Sequence, residues 1–183
     1  MGILVLGLIL FVALHIVPKT ALKPQLQERF GKKQYIAGFA SFAILAVALI
    51  VWGYSRSAFV PVYEPPSWGR HVTMLFVLFA FICLASKGSN SHIARTIRDP
   101  LGAGIAFWAI GHLFANGDLA SILLFGTFAT YAIGKIVAEV ITLPAPDFAV
   151  ILKDDFRAVI GGVAVYLLLL FLHPYIIGVP VLS

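Results

Sequence analysis

Six apolar stretches, joined by polar or proline-rich links, take up most of this 183-residue chain. They run Gly2–Val17, Tyr35–Tyr54, His71–Ala85, Leu101–Ala115, Leu119–Thr142 and Ala158–Val179. A helix of about 17–25 apolar residues satisfies its own backbone and can cross the hydrocarbon core of a bilayer. Composition points the same way. Hydrophobic residues make up 61% and charged residues 11%, whereas soluble domains carry roughly 25% charge. The expected fold class is all-α, a polytopic integral membrane helix bundle of about six transmembrane helices in a single domain over residues 1–183. The first stretch is short, but it lacks the positive n-region and small-residue cleavage site of a signal peptide. It reads as an uncleaved helix ending before Pro18.

The links carry the polar information. Pro18 to Gln34 is basic, Ser55 to Arg70 is rich in proline and aromatic residues, and Ser86 to Pro100 is polar. Leu143 to Arg157 holds two prolines and the pair Asp154-Asp155. Asn116-Gly117-Asp118 predicts a tight turn, with Gly117 at positive φ, joining the fourth and fifth stretches as an antiparallel hairpin. The first, third and fifth links together hold ten Lys or Arg: Lys19, Lys23, Arg29, Lys32, Lys33, Lys87, Arg95, Arg98, Lys153 and Arg157. The second holds Arg56 and Arg70, and the fourth holds none. Positive residues favour the cytoplasmic side, so the chain is expected in the cell inner membrane as a multi-pass protein with both termini non-cytoplasmic. Basic residues beside apolar runs suit the lipid bilayer as partner, and no nucleic-acid partner is expected. The single cysteine, Cys83, excludes an intrachain disulfide and reads as a small buried hydrophobe.

The histidines are the main chemical signal. Ionisable residues at membrane depth face protein interiors and often act there. With the stretches alternating in direction, His71, His112 and His173 fall in one outer leaflet, and His15 lies at the opposite, inner end of the first stretch. His92 falls in a cytoplasmic link and reads as solvated. Each buried histidine also has a plain structural reading, a bond to a carbonyl or hydroxyl across a helix interface. Neutral imidazole is also the commonest metal ligand, and bis-histidine ligation of haem needs neighbouring helices at one depth. Gly104, Trp108 and His112 share a helical face. That face either receives a porphyrin edge over the glycine and against the indole, or packs a neighbouring helix. Arg70, beside His71, suits a haem propionate or a lipid phosphate. Lys135 and Glu139, four apart, are expected to pair or to snorkel. Trp52, Tyr54, Tyr63 and Trp68 read as an interfacial belt. Nucleophile-elbow, phosphate-loop and zinc-protease signatures are absent from the sequence.

Several of these motifs together resemble the NnrU family of membrane proteins and, more distantly, the plant zeta-carotene isomerase that shares its domain. The most specific part is Ile97-Arg98-Asp99-Pro100 followed by Phe107 to Asp118, with Trp108, His112 and Asn116-Gly117-Asp118 in the family spacing. Val12-Ala13-Leu14-His15, Trp68-Gly69-Arg70-His71 and Leu172-His173-Pro174 match as well. The resemblance implies a six-span helical protein and a link to bacterial nitrogen-oxide metabolism. Its isomerase branch implies haem b, with His15 and His112 as axial ligands. In that branch a cysteine stands at the position of Ala109, and family members commonly have histidine at the position of Asp99. The expected function is therefore haem binding through buried histidines, in connection with nitrite or nitric oxide metabolism. The candidate haem site comprises His112, His71, His15 and His173 as metal ligands, with Trp108 and Arg70. The alternatives are a non-catalytic scaffold, or a membrane isomerase or methyltransferase acting on a lipophilic substrate. No catalytic residue is assigned.

Overall fold

A computed structural model describes residues 1–181, and among these it forms eight α-helices and no strand. They are α1 (Gly2–Ile16), α2 (Leu22–Phe30), α3 (Lys32–Ser55), α4 (Gly69–Ser86), α5 (His92–Ile97), α6 (Pro100–Leu113), α7 (Leu119–Thr142) and α8 (Leu152–Ile176). Five are long and apolar enough to cross a membrane: α1 with the 3-10 turn that carries it to Lys19, α3, α4, α7 and α8. The sixth apolar stretch is α6, shorter at 14 residues. The chain is an all-α, multi-pass membrane protein.

The helix ends follow local chemistry. Asp99 caps α6 by accepting from Gly102 N at 3.0 Å, and Pro100 takes the first helical position, where no N–H is needed. Asp118 caps α7 in the same way, accepting from Ser121 N at 3.1 Å. Gly31, at φ +86°, separates α2 from α3 with a conformation that side chains resist. Two helices lie where the sequence predicts only links: α2 and α5. The last helix starts at Leu152, not Ala158, because its first turn is polar, with Lys153, Asp154 and Asp155.

The chain divides into two compact units: residues 1–62 with 118–127, and residues 63–117 with 128 onward. In the first unit α1 and α3 run antiparallel, and glycines let their backbones meet. A Cβ on Gly53 would strike the backbone of Leu4, and one on Gly7 would lie 2.8 Å from Ile50 N. Leu4, Leu8, Ala46 and Ile50 are buried along this seam. The start of α7 joins the same unit through Tyr54 OH, 2.9 Å from Ser121 Oγ.

In the second unit α4 packs against both α6 and α8. Close approach again depends on glycine. A Cβ on Gly104 would lie 2.7 Å from Leu84 Cγ, one on Gly111 2.8 Å from Phe76 Cβ, and one on Gly162 2.6 Å from Ile82 Cα. The space over Gly104 is therefore filled by α4, so this glycine serves helix packing and does not receive a porphyrin edge. The links also group as alternating spans require. The third and fifth meet through Asn90 N to Asp154 Oδ2 (3.1 Å) and Ile151 N to Asn90 O (2.8 Å). His92 is exposed, as expected, and its Nδ1 also lies 2.8 Å from Asp155 Oδ2 in this junction. The second and fourth links meet where Tyr63 N donates to Gly117 O at 3.1 Å.

That last contact corrects the role of Gly117. Its φ is not positive. A Cβ there would instead strike the Tyr63 carbonyl oxygen, which is backbone and cannot rotate away. Asparagine, which tolerates positive φ, should therefore fail at this position as badly as alanine. We expect Gly117→Ala and Gly117→Asn each to lower thermal stability in detergent by about 1–3 kcal/mol. Wild-type stability in Gly117→Asn alone would restore the φ explanation.

Candidate functional site

The histidines of the second unit converge in height. Gly162 of α8 faces Ile82 of α4. His71 lies eleven residues before Ile82, and His173 lies eleven after Gly162. On antiparallel helices rising roughly 1.5 Å per residue, equal counts bring the two level. Gly111 faces Phe76 of α4, with the Thr73 carbonyl also nearby. His112, the next residue, thus lies within about one turn of the same height.

Each of these rings has a defined setting. His112 is half-buried, and its Nδ1 lies 2.8 Å from Trp108 O, one turn back on α6. A carbonyl can only accept, so Nδ1 carries the proton, and in the neutral ring Nε2 is the lone-pair nitrogen. A backbone carbonyl on one ring nitrogen fixes the tautomer and the orientation of the ring. The Trp108 ring stands 5.3 Å from the imidazole and meets Phe128 edge-on at 5.6 Å. His173 has its Nδ1 2.7 Å from Val179 O, beyond the end of α8. Arg70 and His71 are exposed in the first turn of α4. His15 belongs to the first unit. It repeats the His112 arrangement, with Nδ1 2.8 Å from Phe11 O and its ring 4.1 Å from the Phe11 ring.

Sequence reasoning missed the groups that hold the end of α6. The last carbonyls of a helix have no partner inside it. Here Thr73 Oγ1 donates to Gly111 O at 2.7 Å, Asn116 Nδ2 to His112 O at 2.8 Å, and the Tyr63 hydroxyl to Leu113 O. Three side chains from α4 and the second and fourth links thus cap the turn that carries His112. Asn116 lay inside a recognisable motif, but nothing in the sequence joined Thr73 or Tyr63 to it.

At the other end of α6 lies a charge cluster. Lys135 Nζ is 2.6 Å from Asp99 Oδ2 and 2.7 Å from Glu139 Oε1. The expected Lys135–Glu139 pair is present, and buried Asp99 completes it. Arg98 stands at φ +64° just before, and Asp99 N closes a tight turn onto Ile97 O at 2.7 Å. This cluster ties α6 to α7.

The donor set discriminates between kinds of metal centre. Among the described residues no group of three or more His, Cys, Asp or Glu could hold a metal ion. Haem iron takes most of its ligands from the porphyrin and needs one or two from the chain, which level histidines with acceptor Nε2 atoms can supply. His112 and His173 each have a carbonyl on Nδ1.

No curated protein and no solved structure matches the chain. The family model described as NnrU protein matches residues 3–181, nearly the full length and including every histidine discussed above. The chain belongs to the NnrU family.

Proposed function

We propose that this membrane protein binds haem b through His112, with His173 as the second axial candidate and His71 as the alternative at the same height. The observation that carries the proposal is the His112 ring itself: half-buried beside Trp108, with Nδ1–H on the Trp108 carbonyl. Bound haem would supply one-electron chemistry. The chain's own residues fix the imidazole tautomer, supply an aromatic wall through Trp108, and place Arg70 beside His71 as a cation for a propionate. Family membership supports a connection with nitrite or nitric oxide metabolism. His15 has the same tautomer-fixing bond and is the natural comparison.

The scaffold reading draws on the same hydrogen bonds, because His15, His112 and His173 each have a carbonyl for Nδ1. Absorption spectra of detergent-purified protein separate the two. A Soret band that sharpens and shifts on dithionite reduction is expected. Protein that stays colourless after expression with excess haem would leave the scaffold reading in place.

The proposal places the protein in the cell inner membrane with both termini on the non-cytoplasmic side. The excess of Lys and Arg on the odd links supports this, as do the meetings of the third link with the fifth and the second with the fourth. A reporter active only outside the cytoplasm, fused after Ser183, should work. Activity only from a cytoplasmic reporter would contradict the orientation.

A further inference from the structure

We infer that Thr73 is a positioning residue for His112, acting from α4 on the backbone turn that carries the imidazole. Threonine has one hydroxyl proton to donate. Its Oγ1 lies 2.7 Å from Gly111 O and 3.0 Å from Gly69 O, so the shorter contact, across to α6, receives it. Gly111 immediately precedes His112 and is itself buried. It is also the residue whose missing side chain lets α4 come close enough, since a Cβ there would stand 2.8 Å from Phe76 Cβ. Phe76 in turn packs on Phe107 (ring centroids 5.6 Å) and Phe114 (5.9 Å), on either side of His112 in the sequence. Glycine, phenylalanine and threonine together hold one turn of α6 at a fixed height against α4.

The physical consequence concerns the ring. The Trp108 O to His112 Nδ1 bond is a contact within one helix, so it is only as well defined as the helix around it. Gly111 O accepts from Phe114 N (3.0 Å) as well as from Thr73. Without the hydroxyl, the end of α6 keeps its terminal backbone bonds, with Ala115 N and Asn116 N on His112 O, and the side chains of Asn116 and Tyr63, but loses its tie to α4 at Gly111, and terminal turns fray. The imidazole would then sample more orientations, while the apolar contacts between α4 and α6 persist. The inference deepens the haem reading, because an axial ligand must be held in one orientation.

The test uses full-length protein labelled with ¹⁵N-histidine, purified haem-free in detergent, and reads the side-chain nitrogen shifts of His112, assigned by their loss in His112→Ala. Thr73→Val removes the hydroxyl and keeps the shape. We expect it to move or broaden the His112 signals, with Thr73→Ser restoring them and all variants reaching the membrane at wild-type level. If Thr73→Val fails to accumulate, Thr73→Ala is read in its place. A His112 signal in the valine or alanine variant that superimposes on wild type overturns the inference. A signal that moves equally in Thr73→Ser also overturns it. In haem-loaded protein the same variants should alter the ferric electron-paramagnetic-resonance g values, again with serine restoring them. Wild-type protein that takes up no haem, yet shows the shift change, upholds the role of Thr73 and removes the haem reading alone.

Discussion

Lys135→Met is expected to destabilise the second unit by about 3–5 kcal/mol, the usual cost of stranding a buried charge. Lys135 Nζ lies 2.6 Å from Asp99 Oδ2, and the Asp99 side chain is only 8% exposed. Removing the ammonium leaves that carboxylate without a counter-charge beside an apolar helix end. Glu139 loses its partner too, but its side chain is 30% exposed and can turn toward solvent. The expected order is therefore severe loss for Lys135→Met and a mild effect for Glu139→Gln. Adding Asp99→Asn to Lys135→Met should recover much of the loss, because asparagine removes the stranded charge and still caps α6 through Gly102 N. Thermal unfolding in detergent, followed by circular dichroism, measures all four proteins. If the double variant is no more stable than Lys135→Met, the damage does not come from the Asp99 charge.

Gly53→Leu should separate α1 from α3. The position of a Cβ on Gly53 is already taken by Leu4 N and Cα, with Ile3 C at 2.8 Å. These are backbone atoms, so the helices must move apart and lose the contacts of Leu4, Leu8, Ala46 and Ile50. Overpacking commonly costs about 1–3 kcal/mol, and a whole leucine against backbone belongs at the upper end. Gly38, on the same helix, has nothing within 4 Å of its would-be Cβ. Gly38→Leu should be neutral or slightly stabilising, since glycine is a poor helix former. Protease sensitivity of the link between α1 and α3 reports the difference. Equal resistance in both variants would contradict the close-contact account.

The contrast between these two glycines shows where sequence stops informing. Apolar runs locate the membrane helices because hydropathy is a property of each segment by itself. The α7 limits, Leu119 and Thr142, were readable because an aspartate cap precedes the stretch and Pro144 follows it closely. The short polar helices α2 and α5 carry no such signal, and the polar first turn of α8 hid its start. Gly117 announced a turn, but its reason for being glycine is a tertiary contact with Tyr63 that no local rule contains. His92 is exposed, as expected, but its hydrogen-bond partner Asp155 lies 63 residues away and no local rule names it. The same holds for the site. The sequence singled out His112 and Trp108, which are one turn apart. It could not show Thr73 on Gly111, Asp99 on Lys135, or the filling of the space over Gly104 by Leu84.

The central claim is that His112 anchors a haem site within the second unit. The most direct measurement is the absorption spectrum of His112→Ala, purified beside wild type, His173→Ala and His15→Ala under one haem supply. The account predicts a Soret band in wild type and in His15→Ala. It predicts a lost or shifted band in His112→Ala, a shifted one in His173→Ala, and normal membrane accumulation of all four proteins. A wild-type band that persists unchanged in His112→Ala would contradict the claim.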